Sequence, residues 1–220
     1  MIHADLGLIF DMDGVIVHSN PVHREAWSRY NRQFGIETGE EMHRRMYGKR
    51  NDEIVRDFFG ADLPETEVAA RGAAKEALYR RLMAPRLEES LVPGVREFLD
   101  RSAGLPVGLA TNAEPANVDF VLDGAGLRPF FRAVANGQEV SRPKPDPEIY
   151  LRVAALLGLD PRNCIVFEDS YSGVAAARAA GARVVALRTT HTEFDGVDLA
   201  VSDFRCGELQ SWLRRQQPLV

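Results

Sequence analysis

Asp11 and Asp13 lie two positions apart, with Gly14 next, directly behind the apolar run Leu6-Gly7-Leu8-Ile9-Phe10. Two carboxylates this close repel each other unless positive charge holds them, and a hard cation with a taste for oxygen ligands, such as Mg²⁺, meets that need. The same residues also describe a solvated acidic turn, so the pair gains meaning only from what the rest of the chain brings to it. Three other places supply candidates. Thr111-Asn112 follows Val107-Gly108-Leu109-Ala110, Glu168-Asp169-Ser170 follows Cys164-Ile165-Val166-Phe167, and Lys144 sits between two prolines in the polar loop 136–147. An acidic cluster of Asp11, Asp13, Glu168 and Asp169, a hydroxyl beside an amide, and one cation suit phosphoryl transfer. There, Mg²⁺ and a lysine offset charge on the equatorial oxygens while a nucleophile attacks in line. No Ser, Cys or His is placed as nucleophile, which leaves a carboxylate that becomes an aspartyl phosphate as the simplest choice.

These residues need elements to position them. Apolar runs without polar alternation fit strands buried on both faces, as in a parallel sheet. On this reading strands end near Phe10, Ala110 and Phe167, a short apolar piece spans Ala133 to Ala135, and a further strand runs from Val184 to Leu187. Helical patterns alternate with them: Val95 to Leu99, from about Pro115, Ile149 to Leu157, Gly173 to Ala180 and Gly207 to Arg215. The alternation predicts an α/β fold with a doubly wound, Rossmann-like parallel sheet, in which ligands bind at the carboxyl ends of the strands. Asp11, Thr111 and Asp169 all fall on that edge, and Lys144 lies on the loop between the second and third of them.

Residues 18–92 have a different texture, with short helical patterns punctuated by glycines. Asn20 with Pro21 opens a first helix whose apolar face is Val22, Ala26, Trp27, Tyr30 and Phe34. Thr38 and Glu41 have capping-box spacing for a second, Asn51 can cap a third, and Pro64 to about Ala84 forms a fourth. The expected organisation is an α/β core from 1–17 and 93–220 carrying an inserted four-helix domain at 18–92.

The net charge of −5, with no block of like charges, argues against nucleic acid or an anionic membrane surface as the main partner and favours a small molecule. Two cysteines, Cys164 and Cys206, signal neither a disulfide framework nor a zinc site, and a reducing cytoplasm fits them. No stretch reaches the ~18 apolar residues of a membrane span, and the expected protein is soluble and unprocessed.

The ordered set Asp11-Met12-Asp13-Gly14, Thr111-Asn112, Lys144-Pro145 and Glu168-Asp169-Ser170 resembles the haloacid dehalogenase superfamily over nearly the whole chain, in particular its β-phosphoglucomutase- and phosphoglycolate phosphatase-like members. The insert resembles that family's helical cap. The resemblance implies Asp11 as nucleophile and Asp13 as general acid/base whose main-chain carbonyl also binds Mg²⁺. It implies Asp169 as a metal ligand, with Glu168 binding directly or through water, and Thr111, Asn112 and Lys144 as holders of the phosphoryl group. It also raises His23, ordinarily a structural residue, to a partner of Asp13. Gly48-Lys49-Arg50-Asn51 looks like the cap's substrate loop, where Lys49 or Arg50 could bind a second phosphate or a carboxylate; a solvated helix start fits equally well. Lys75 and Arg80 read as surface charges, and His18 departs from the acid frequent at that position in relatives.

The implied activity is Mg²⁺-dependent hydrolysis of a small phosphorylated metabolite, a sugar phosphate or similar, by a monomer or weak homodimer. An intramolecular phosphomutase is the alternative. Dehalogenation is disfavoured because it has no use for a Mg²⁺ site. A phosphoacceptor receiver module is disfavoured by the chain length and by the order of its acidic residues.

Overall fold

The computed structural model describes residues 6–216. Its strands are β1 (Gly7–Phe10), β2 (Val107–Ala110), β3 (Ala133–Ala135), β4 (Cys164–Glu168), β5 (Arg183–Leu187) and β6 (Leu199–Val201). They form one six-stranded sheet, all parallel, in the order β3-β2-β1-β4-β5-β6. The apolar runs read as two-face-buried strands are just that: every residue of β1, β2 and β4 is buried. On one face Phe10 stacks on Phe167 at 4.7 Å, with Phe98 and Phe204 against them. On the other, Ile9, Val166, Val153 and Ala176 share a second apolar cluster. β6 escaped the sequence pattern because it is a three-residue edge strand, Leu199-Ala200-Val201, fixed only by its register with β5.

Between β1 and β2 run α1 (Asn20–Arg32), α2 (Glu40–Met46), α3 (Asn51–Phe59), α4 (Glu65–Met83) and α5 (Val95–Arg101). The first four build the inserted cap and have a core of their own: Trp27, Tyr30, Met46, Ile54, Val55, Phe58 and Val68. α1 straddles two environments, since Val22 and Ala26 belong to the main core and Trp27 and Tyr30 to the cap. Phe34, expected inward, is 47% exposed because α1 stops at Arg32; its ring instead lies under the Arg71 guanidinium at 4.3 Å. The expected caps are each displaced by one residue. Ser19, Gly39 and Arg50 hold the N-cap positions of α1, α2 and α3, and the Thr38 hydroxyl accepts from Asn31 instead of capping.

The chain enters and leaves the insert through two segments paired to each other. Val17 and Leu91 form an antiparallel bridge, the His18 N–H donates to the Ser90 carbonyl at 2.7 Å, and the Val92 N–H donates to that of Ile16 at 3.0 Å. The His18 side chain faces solvent. After β2 come α6 (Pro115–Gly124), α7 (Glu148–Leu157), α8 (Tyr171–Ala179) and α9 (Gly207–Gln216). Among the described residues no helix is long and apolar enough to cross a membrane.

Candidate active site

β1 lies between β2 and β4, where the strand order reverses direction, and a crevice opens beyond the carboxyl ends of strands at such a point. Asp11 leaves β1 there, Thr111 leaves β2, and Glu168 with Asp169 ends β4. Lys144 arrives from the loop between β3 and α7. Its ammonium is buried and all three of its protons are committed: 2.6 Å to Asp11 Oδ1, 2.7 Å to Glu168 Oε1 and 3.0 Å to the Ala110 carbonyl. Burial works against the charge of Lys144, but the two carboxylates outweigh it and hold its pKa above the usual lysine range.

Glu168 is fully engaged. Oε1 accepts from Lys144 and from the Tyr150 hydroxyl at 2.7 Å, and Oε2 accepts from the N–H groups of Asp169 and Ser170 at 2.8 and 3.0 Å and from the Ser170 hydroxyl at 3.0 Å. Those bonds and Lys144 overcome its burial and keep its pKa low. Asp11 goes the other way. Burial, with repulsion from Glu168 and Asp13 added to it, exceeds the help from Lys144 and pushes its pKa up to about 7. Burial, Glu168 and Asp11 likewise raise Asp169 well above the carboxylate range. Asp11, Glu168 and Asp169 can each place an oxygen within 4.8 Å of the others. One lysine among three buried carboxylates leaves negative charge uncompensated, and an all-oxygen donor set of this kind fits a hard divalent cation.

Three residues that hold Asp169 were not foreseen. Its Oδ2 accepts from the Thr190 hydroxyl and from Asn20 Nδ2 at 3.3 Å, with the Thr189 hydroxyl 3.5 Å away. Thr189 also donates to the Gly14 carbonyl at 2.6 Å, tying the loop after β1 to the end of β5. Asn20 reads in sequence as a helix cap, but its amide spans Asp169 and Thr190. The rule that polar groups collect at strand ends could have flagged Thr189 and Thr190, which follow closely on the end of β5 at Leu187. Gly14 is required here for two reasons: its φ is +79°, and a Cβ would sit 1.9 Å from Asp169 Oδ2.

The Thr111 hydroxyl accepts from the Ala113 N–H at 3.1 Å, which leaves its proton free for a ligand. Asn112 spends its Nδ2 on the carbonyl of Gly48 at 2.8 Å, joining the cap loop to the core, and its buried Oδ1 has no donor. At Gly48 the loop presses on Ser170 and Ser172 so closely that a Cβ would lie 2.3 Å from the Ser172 hydroxyl.

Asp13 Oδ1 accepts from the Ser19 hydroxyl at 2.5 Å and faces His23 Nε2 at 3.4 Å. Burial raises the Asp13 pKa, but His23 and Ser19 together bring it below the usual range. His23 is held flat against Tyr79, ring centroids 3.8 Å apart, and its Nδ1 is 3.2 Å from Lys75 Nζ. Lys75 is therefore no surface charge. It is 1% exposed, paired with Glu76, and its ammonium lies 4.7 Å from the Trp27 ring. Arg80 is half-buried, joining the cap to α6 through Glu114 and Asn117. A basic residue next to an acidic one on a long helix ordinarily means solvent, and only packing of α4 on α1 turns this pair inward.

Glu76 accepts from Asn51 at 2.7 Å and from Asn117 at 2.8 Å. Burial opposes its charge, but Lys75 and His23 lower its pKa from the usual 4.5 to about 2. A depressed carboxylate contributes stability that is complete above its unfolded pKa and is lost as pH falls through the folded one. Urea unfolding of the protein against its Glu76→Gln variant should accordingly show a stability difference that is flat above about pH 5 and shrinks toward pH 2 by about 3 kcal/mol.

The cavity enclosed by these residues has a volume of about 80 Å³ and is lined by Asp11, Asp13, His23, Thr111, Asn112, Lys144 and Asp169 from the predicted set, with Lys49 at its edge. Glu168 stands behind it. The Lys49 ammonium is paired with Asp57 at 2.7 Å. Arg50 lines a neighbouring cleft, its Nε 3.3 Å from Asp52.

A family model described as haloacid dehalogenase-like hydrolase matches residues 7–181. Protein CbbY of Rhodobacter capsulatus is 34% identical over 215 residues, 93% of each chain. Fructose-1-phosphate phosphatase YqaB of Escherichia coli is 32% identical over 183 residues, 83% of this chain and 96% of that protein. Among solved structures, a variant of CbbY from Rhodobacter sphaeroides in complex with xylulose-(1,5)bisphosphate superimposes with a TM-score of 0.79 at 27% identity, covering 93% of this chain and 95% of that one.

Proposed function

The chain belongs to the haloacid dehalogenase-like hydrolases, and from that premise we propose that it is a Mg²⁺-dependent phosphatase that hydrolyses a small phosphorylated metabolite through an aspartyl phosphate on Asp11. The observation that carries this reading is the buried contact of Lys144 with both Asp11 and Glu168 at the ends of two adjacent strands, beside Asp13 and beneath the helical cap. A phosphatase relative with 96% of its length matched adds support.

In the proposed mechanism Lys144 holds Asp11 Oδ1 and fixes the carboxylate for in-line attack by its other oxygen on phosphorus. The free hydroxyl proton of Thr111 binds a phosphoryl oxygen. Asp13 gives a proton to the leaving oxygen and later takes one from the water that attacks the acyl phosphate, while His23 and Ser19 fix its orientation. Asp11 and Asp169, with the main-chain carbonyl of Asp13, would hold Mg²⁺, and Glu168, whose oxygens already accept from Lys144, Tyr150, Asp169 and Ser170, would add its negative charge beside the ion. When bound, the ion supplies positive charge against the phosphoryl oxygens. Residues 18–92 act as the cap that closes the site, and the paired segments at Val17 and Leu91 are its hinge.

A phosphate-release screen over phosphorylated sugars and acids, with and without Mg²⁺, tests the reading. Release should fall at least about 100-fold on chelation and return with Mg²⁺. Release that is indifferent to chelator would exclude the metal, and no release from any compound would exclude the phosphatase.

A further inference from the structure

We propose that the site is built for a monophosphate whose tail is neutral and rich in hydroxyls, a sugar or sugar alcohol, and that it discriminates against a second phosphate, with Glu76 as a specificity-determining residue. This rests on the phosphatase reading and concerns the end of the cavity walled by the cap residues Trp27, Met46, Asn51, Ile54 and Glu76. A second phosphate would need a cation whose charge is not already paired, and none is found among the described residues that line the cavity. Lys75 is buried on Glu76, Lys49 is bound to Asp57, and Arg50 and Arg80 turn to Asp52 and to Glu114 outside the cavity lining. Lys144 has no proton to spare. His23 stands against Asp13 and Lys75, close to the reacting end.

What this end offers is acceptors. Glu76 Oε2 takes a single hydrogen bond, from Asn117, with His23 Nδ1 at 4.0 Å, so one lone pair stays open. Asn112 Oδ1 is buried without a donor, and its orientation is fixed because a flipped amide would set oxygen against the Gly48 carbonyl. Acceptors in a confined site pair with hydroxyl protons. A phosphate dianion has none to give and would meet a carboxylate instead. Trp27, Met46 and Ile54 complete the wall and suit the C–H faces of a carbon chain. The same reasoning disfavours the phosphomutase, whose bisphosphate intermediate must place a phosphate at this end in turn. It also separates this chain from the CbbY variant, whose crystals contain a bisphosphate.

Matched pairs sharing the transferred phosphate decide it: fructose 1-phosphate against fructose 1,6-bisphosphate, and β-glucose 1-phosphate against β-glucose 1,6-bisphosphate. Calorimetry on the Asp11→Asn protein with Mg²⁺ reads preference without turnover. The monophosphate of the better-bound pair should bind at least tenfold tighter, and equal or tighter binding of the bisphosphate, or no binding of either monophosphate, overturns the proposal. If the wild type releases no phosphate while this preference holds, the phosphatase reading alone fails. Asn51→Arg, which brings a cation to this end of the cavity, should narrow the preference at least tenfold; an unchanged ratio counts against it. Glu76→Gln should raise the monophosphate KM about tenfold, as expected for a hydroxyl bonded to a charged acceptor, while inhibition by inorganic phosphate stays as it was. Equal loss of both would assign Glu76 a merely structural role and overturn its part in specificity.

Discussion

Asp11→Asn should lower phosphate release at least about 10⁴-fold and leave the fold intact, because on the proposed mechanism an amide cannot form the covalent intermediate. The two halves of that result are separable. Asn keeps the shape of Asp and can still accept from Lys144. The carboxylate it replaces is one whose burial, with Glu168 and Asp13 nearby, already disfavours its charged form. Thermal unfolding in chelator should show a midpoint equal to or above that of the wild type. Mass spectrometry after a rapid acid quench should find a phosphorylated intermediate in the wild type and none in the variant. Appreciable turnover by Asp11→Asn would remove Asp11 from its role, and a collapsed midpoint would mean that the carboxylate holds Lys144 in a way an amide cannot.

Lys144→Met has the second large effect, and it falls on stability as much as on activity. Met fills similar volume, but it leaves Asp11 and Glu168 facing each other with no other cation paired to either among the described residues. Removing one partner of a buried ion pair costs about 3–5 kcal/mol, which for a chain of this length lowers the melting midpoint by roughly 10 °C. In metal-free buffer the loss should be largest, and Mg²⁺ should recover part of it by replacing some of the missing charge, without recovering activity. Lys144→Arg should also fail, since a planar guanidinium cannot direct protons at Asp11, Glu168 and the Ala110 carbonyl at once. A Met variant as stable as the wild type would show that the carboxylates are neutralised by another route.

The core of the site was legible because its residues sit where apolar runs stop. A run that is apolar throughout fixes a strand, its end fixes the edge, and Asp11, Thr111 and Asp169 follow from that. Lys144 was legible for a related reason, lying on the loop that joins two such strands. The support of the site was not. Asn20, Thr189 and Thr190 are ordinary polar residues in ordinary polar segments, and only the meeting of α1 with the end of β5 puts them on Asp169. Lys75 and Glu76 interrupt any apolar stripe on α4, and nothing local says that this interruption faces a cavity. The pattern also spoke for Lys49 and Arg50, whose charges the structure gives to Asp57 and Asp52.

The interposition of α1 to α4 between β1 and its neighbours has a consequence for how the protein is made. β1 is complete at Phe10, yet its two partners begin at Val107 and Cys164. At roughly 5–20 residues per second of synthesis, the strand that carries Asp11 leaves the ribosome and then waits on the order of ten seconds for β4. Meanwhile the helices behind it, with an apolar core of their own, can assemble on local contacts. The strand that leads into Asp11 is thus translated well before either of the strands that flank it in the sheet. Through that interval an apolar strand lacks the two neighbours that bury it in the finished sheet.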